Sequence, residues 1–302
     1  MQILYSKNRD PFLQDSNLDK LFDASVKSSG NLYLFQLYLI EKICRQAKME
    51  ADLIANKYIP TEEDKAFTPL LFNNDLIQSL VNNKKLQKLY EKSNFPNLVD
   101  QDILKNIYSE FAKTDLYKKY ADKNIAERNH LETLLELYRF LRKNKLFNET
   151  VEDQLYNWED DESLIIGAIK KTLKSLPASN EEFYQEYMTT EAQTLKFGKD
   201  LLNYVQENDD QYTAIIKPIL KNWDSERVAV VDMILLKMAI AEFLNFPSIP
   251  TTASLNEYVE LSKLYSTPKS KEFVNGVLDK IMKDLTEKKL IKKEGRGLIE
   301  EA

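Results

Sequence analysis

Residues 256–280 read NEYVELSKLYSTPKSKEFVNGVLDK, and their spacing predicts two helices joined by a short basic turn. Ser254 is placed to cap the first helix, and Glu257 follows three residues on to complete a capping box. Val274, Val277, Leu278, Ile281 and Leu285 fall on one face of the second, the spacing of a helix that faces a core. Inside that helix Asn275 and Gly276 each lower helix propensity by roughly 0.5–1 kcal/mol relative to Ala. A position that accepts this cost is expected to need close packing or an exposed polar group. The turn Ser266-Thr267-Pro268-Lys269-Ser270-Lys271 combines small hydroxyls, two lysines and a helix start, where free N–H groups and the helix dipole favour an anion such as phosphate.

Working outward, Val228–Leu244 is a very apolar helical stretch interrupted by Asp232, Lys237 and Glu242. An Asp on such a helix must reach water or a hydrogen-bonding partner, since burying it alone is costly. Contact with a partner molecule and an internal pair with a lysine are both open to it. Leu32–Lys57 predicts a long helix, and Lys7–Gly30 reads as a loop with one short helix. Short helices are expected over Thr68–Pro96, broken at Pro69 and Pro96. Longer ones are expected over Asp100–Tyr120, Ile125–Lys145, Ser163–Leu176, Glu181–Glu207 and Gln211–Leu220. No segment alternates with period two, so no strand is predicted. Asn157-Trp158-Glu159-Asp160 echoes Asn222-Trp223-Asp224-Ser225. Acidic residues suit helix N-termini, so the echo reads as repeated helix-start chemistry, with internal duplication as the other reading.

Composition narrows the function classes. At 302 residues, 43% hydrophobic and 30% charged, with 6 Gly and 9 Pro, the chain suits a mostly helical protein with a sizeable core. No charge-free apolar run approaches membrane-spanning length, no secretory leader pattern opens the sequence, and the single Cys44 suits a reducing, cytoplasmic setting. One His, His130, and one Cys build no zinc site of the usual kind, and six scattered glycines form no phosphate-cradling loop. The inventory points away from an enzyme, a metal site or a bound cofactor. The formal charge of −6 is unevenly spread: residues 261–296 hold ten Lys/Arg against five Asp/Glu. A local basic surface attracts phosphates even on an acidic protein, because screening confines charge effects to about 8–10 Å. The run Lys288–Lys293 reads either as part of that surface or as a solvated tail.

Phe273-Val274-Asn275-Gly276-Val277-Leu278-Asp279, with Asn256-Glu257 and a Val-Glu-Leu-Ser-Lys run ahead of it, resembles the C-terminal signature of the NusB family of bacterial transcription antitermination factors. Asn222-Trp223-Asp224-Ser225-Glu226-Arg227, the apolar helix after it and Phe246-Pro247-Ser248-Ile249-Pro250 match the family's order and spacing. The resemblance runs from about Glu182 to Leu285. It implies an all-α fold with a NusB-like helical bundle at residues 182–285, an enlarged helical N-terminal region over 1–181 (expansion about 60–177) and a charged tail over 286–302. Met1-Gln2-Ile3-Leu4-Tyr5-Ser6 resembles the end of the family's first helix. The arginine-rich turn that precedes it in the family is absent from this sequence, which weakens the expectation of stand-alone RNA binding.

The resemblance implies a non-enzymatic antitermination factor. It would bind a single-stranded boxA-type RNA with the tenth small-subunit ribosomal protein, join other Nus factors and RNA polymerase, and regulate ribosomal RNA transcription. It places RNA contacts at Tyr5, Lys269, Ser270, Lys271, Phe273 and Asn275, with Phe273 stacking on an unpaired base, and a partner contact at Asp232. Packing of Phe273 into the core is the competing reading. The alternative function is a helical scaffold that keeps the partner surface and has lost RNA binding.

Overall fold

In a computed structural model, residues 1–10, 12–14, 17–155, 158–188, 192–222 and 228–298 are described. Asn157 and Trp223-Asp224-Ser225-Glu226-Arg227, named above, lie outside them. Among the described residues the fold is all-α. In chain order the helices are α1 (Gln2–Arg9), α2 (Leu18–Ala55), α3 (Glu62–Ala66), α4 (Leu70–Asn73), α5 (Asp75–Val81), α6 (Lys84–Lys92), α7 (Gln101–Ala112) and α8 (Asp115–Ala121). They continue as α9 (His130–Leu141), α10 (Lys145–Gln154), α11 (Trp158–Ser175), α12 (Ala192–Glu207), α13 (Asp209–Ile216), α14 (Val230–Asn245), α15 (Thr251–Tyr265) and α16 (Ser270–Glu287). A lone antiparallel bridge joins Phe67 and Asp122.

The chain divides into two compact units, Met1–Asp23 with Glu191–Ala302, and Ala24–Thr190. The partition differs from a simple cut at residue 181, because the first residues belong with the C-terminal helices. Leu4 and Leu18 are buried in the same core as Leu235, Ile240 and Val274, and α1 packs on α14. The segment Lys7–Gly30, expected as a loop with one short helix, instead supplies the end of α1 and the opening turns of α2. Gly30 does not break that helix. A Cβ there would stand 3.4 Å from the Sδ and Cε of Met188, so the glycine leaves room for a methionine to pack.

The Ala24–Thr190 unit is built from short helices whose starts are fixed by side-chain caps. Asn74, Asn83, Asn129 and Asn144 accept from the N–H groups of Ile77, Leu86, Glu132 and Phe147 respectively. Thr61 and Asp64 form a full capping box at α3. Each such cap stabilises its helix by about 1 kcal/mol, which matters where a helix has only two turns. The core is laid along α2, in which Leu32–Tyr38, Ile40 and Ile43 are buried. A helix apolar on every side must lie inside its bundle. His130 begins α9, with Nδ1 2.8 Å from the Tyr120 hydroxyl, so it is a hydrogen-bonded structural residue.

In the other unit α14 is central, touching α1, α12, α13, α15 and α16. Leu235, Leu236, Ala239, Ile240, Ala241 and Phe243 are buried around its circumference. Near its end the buried Glu242 accepts from Ser254 Oγ at 2.6 Å and Tyr258 Oη at 2.8 Å. Burial and that carboxylate push the Tyr258 hydroxyl far above its ordinary pKa, so it stays a donor. This corrects the capping role expected for Ser254: α15 begins earlier, after Pro250, and Ser254 lies buried within it. The demand of a buried carboxylate outweighs a local capping pattern.

The segment after α16 is likewise no simple solvated tail. Lys293 Nζ donates to the carbonyls of Phe246 at 2.9 Å and Glu242 at 3.3 Å, at the C-terminus of α14. Ile291 packs against the core, and the Glu294 N–H bonds to Pro247 O at 2.9 Å. Gly297 closes the contact: a Cβ there would lie 2.0 Å from the Pro247 carbonyl oxygen, a backbone atom that cannot swing away. Gly297→Ala is therefore expected to prise this segment off α14 and to cost about 1–3 kcal/mol. A urea melt checks it, and an unchanged midpoint would show that the close approach is not required.

Candidate nucleic-acid interface

The corner between α15 and α16 is organised around one buried carboxylate. Asp232, in the first turn of α14, is 4% exposed, and its Oδ2 accepts from Ser270 Oγ at 2.8 Å. Ser270, 1% exposed, opens α16. Its Oγ also lies 2.8 Å from Thr267 Oγ1 and 2.9 Å from Ser266 Oγ, and it accepts from the Thr267 N–H at 3.2 Å. Asp232 Oδ1 is buried without a hydrogen-bond partner. Its place in the first turn of α14 stabilises the negative charge through the helix dipole. One hydroxyl thus gathers the turn residues and ties them to the central helix.

Two expected binding residues are consumed by this arrangement. Asp232 is internal, and its partner is a serine rather than a lysine or an outside molecule. Ser270 spends its hydroxyl on Asp232 and the turn. Phe273 is also placed inside: it is 7% exposed and belongs to the core with Val274, Val277 and Ile281. The reason is register, because residue 273 stands one turn before Val277 and two before Ile281, on the buried stripe itself. A sealed ring offers no face to a base.

What the corner does present is charge. Thr267, Pro268, Lys269 and Lys271 are exposed ahead of and within the first turn of α16, with Glu272 beside them. One turn on, Asn275 and Gly276 are exposed, and a Cβ at Gly276 would meet nothing within 4 Å. The helix-weakening pair therefore lies on open surface, and close packing is not its reason. Two ammonium groups beside a helix N-terminus suit phosphate contacts of the point-charge kind.

Tyr5, 37% exposed on α1, makes its contacts with Arg9. The Arg9 Nε donates to Tyr5 Oη at 3.3 Å, and the guanidinium carbon stands 5.3 Å from the ring centroid. Arg9 carries no role in the reading from sequence, although its i, i+4 spacing from Tyr5 was the available signal. Thr267 lies in the turn that the sequence marked, and its place depends on Ser270 being held by Asp232 of another helix.

Comparison with known proteins places residues 153–283 within a profile described as the NusB family. The transcription antitermination protein NusB of Salinibacter ruber is 40% identical over 106 residues, 35% of this chain and 66% of that protein. Proteins of the same name from Chloroherpeton thalassium and Koribacter versatilis are 38% and 33% identical over 100 and 103 residues. These stretches span 33% and 34% of this chain, and 47% and 70% of the two relatives. No solved structure matches the chain significantly.

The buried pair makes a quantitative expectation. Ser270→Ala leaves the Asp232 carboxylate buried with neither oxygen bonded and should cost about 2–4 kcal/mol, more than Asp232→Ala does. In a double-mutant cycle read by chemical denaturation, the Asp232→Ala/Ser270→Ala protein should be more stable than the two single costs added together would allow. Strict additivity would refute the pairing.

Proposed function

The chain belongs to the NusB family, and on that premise we propose that it acts as a transcription antitermination factor, a binding protein without a catalytic step. In this reading it engages single-stranded boxA-type RNA together with the tenth small-subunit ribosomal protein. It joins other Nus factors and RNA polymerase and regulates ribosomal RNA transcription. The observation that carries the RNA part is the exposed Lys269 and Lys271 pair at the start of α16, within the residues matched to the family. Unpaired RNA exposes both backbone and base edges, so these lysines meet phosphates while Asn275, exposed one turn on, supplies an amide to a base or sugar. Tyr5 and Arg9 add a ring and a guanidinium on α1.

The burial of Phe273 favours the rival reading of a scaffold that holds a protein partner without RNA. The lysines separate the two. For single-stranded RNA, the slope of log affinity against log salt falls by about 0.7 for each phosphate that the protein ceases to neutralise. Replacing Lys269 and Lys271 with Gln should therefore flatten the slope by about 1.4 in a fluorescence-anisotropy titration of the chain with its ribosomal partner. No RNA binding by the partnered protein, or an unaltered slope in the variant, overturns the RNA reading. Phe273→Ala is expected to act through the fold, destabilising the protein by about 3–5 kcal/mol. Weaker RNA affinity with an unchanged melting temperature would instead return the ring to the interface.

A further inference from the structure

Two adjoining clefts lie within the Ala24–Thr190 unit. One, of about 380 Å³, is lined by Glu50, Ile54, Phe67, Tyr117 and Lys118 among others. The second, of about 320 Å³, is lined by Met49, Glu50, Leu53, Lys105 and Tyr108 among others. Glu50 and Ala112 belong to both. Cavities of this size fit small organic ligands, which are bound mostly by apolar walls and oriented by a few placed polar groups.

The polar group at the shared wall is built from inside. Tyr117 and Tyr108 are 2% and 4% exposed, and their hydroxyl oxygens are 2.7 Å apart. Tyr108 donates to Glu50 Oε2. Since its one proton is used there, the Tyr117 hydroxyl donates to the Tyr108 oxygen. Burial, then the neighbouring Tyr117 and Glu50, push the Tyr108 hydroxyl far above its ordinary pKa, so the chain Tyr117 to Tyr108 to Glu50 keeps its direction. One carboxylate oxygen is thereby fixed, and Oε1 is left for another donor. Among the described residues no cation pairs with Glu50; Lys105 and Lys118 line the clefts without reaching ion-pair distance of it. No group of metal-binding side chains occurs among the described residues either. Around Glu50, Met49, Leu53, Ile54 and Ala112 supply apolar wall and Phe67 and Tyr117 add ring faces that attract cations, while Glu63, Asp64 and Asp122 line the first cleft and Gln46 and Ser109 the second; Asp64 is already paired with Lys57 at 2.6 Å.

We propose that the paired cleft binds an aliphatic ammonium ion, with Glu50 as the counter-charge and the Met49–Leu53–Ile54 wall receiving its methylene chain. A free polyamine and a lysine side chain share this chemistry.

The test is calorimetric titration of the full chain at low salt with spermidine, with cadaverine and with a blocked lysine tripeptide, using 1-hexanol and sodium chloride as controls. Saturable binding of the amines and not of the controls is expected. Preference for the polyamines or for the tripeptide assigns the source. Glu50→Gln keeps an acceptor for Tyr108 and removes the charge, and should weaken amine binding about tenfold or more. Leu53→Lys sets a rival ammonium one turn from Glu50 on an exposed position and should abolish the titration even if Glu50→Gln proves unstable. Absence of amine binding, or amine binding that both variants leave unchanged, overturns the proposal.

Discussion

Helix α14 can be buried on all sides only if the charges it carries are answered from its neighbours. Asp232 and Glu242 lie ten residues apart, about 15 Å along the axis. An isolated carboxylate in such a setting costs several kcal/mol. The start of α16 answers the first with Ser270, and α15 answers the second with Ser254 and Tyr258. Lys293 covers the carbonyls at the helix end. Apolar packing is tolerant of small slides, whereas these bonds are not. They set the register of α15 and α16 against the central helix, and with it the position of the exposed lysines.

The parts of this arrangement that rest on local periodicity were legible in the sequence. The stripe from Val274 to Leu285 is buried as its spacing required. The helical character of the described residues and the family resemblance both stand, as do the short helices after residue 68. The asparagines that start α5, α6, α9 and α10 are local signals of the same kind. What failed to show depended on distant partners. Ser254 carries a good capping pattern, yet its hydroxyl goes to a carboxylate on α14. The stretch up to Gly30 reads as a loop with one short helix, whereas α2 runs through Gly30 with Met188 beside it. Only Met1–Ser6, through the resemblance to the family's first helix, hinted that residues 1–23 belong with the C-terminal unit.

The candidate interface divides along the same line. Lys269, Lys271 and Asn275 are where a solvent-facing reading puts them, because long polar side chains ahead of and between stripe positions have nowhere else to go. The family resemblance placed ligand or partner contacts at Ser270, Asp232 and Phe273, and each is buried. The corner therefore has a bonded underside of hydroxyls and carboxylate and a charged, solvent-facing exterior.

Because the unit around α14 is assembled from both ends of the chain, its folding is tied to the direction of synthesis. Leu4 and Leu18 are made well before the core they join, in which Leu235 and Val274 lie more than 200 residues downstream. The intervening unit, Ala24–Thr190, has its own core and can close while translation continues. Closing that early also shortens the effective loop the N-terminal helix must span, lowering the entropic penalty of the late encounter. The stretch that α1 packs against is thus made only after the inserted unit is complete in the chain.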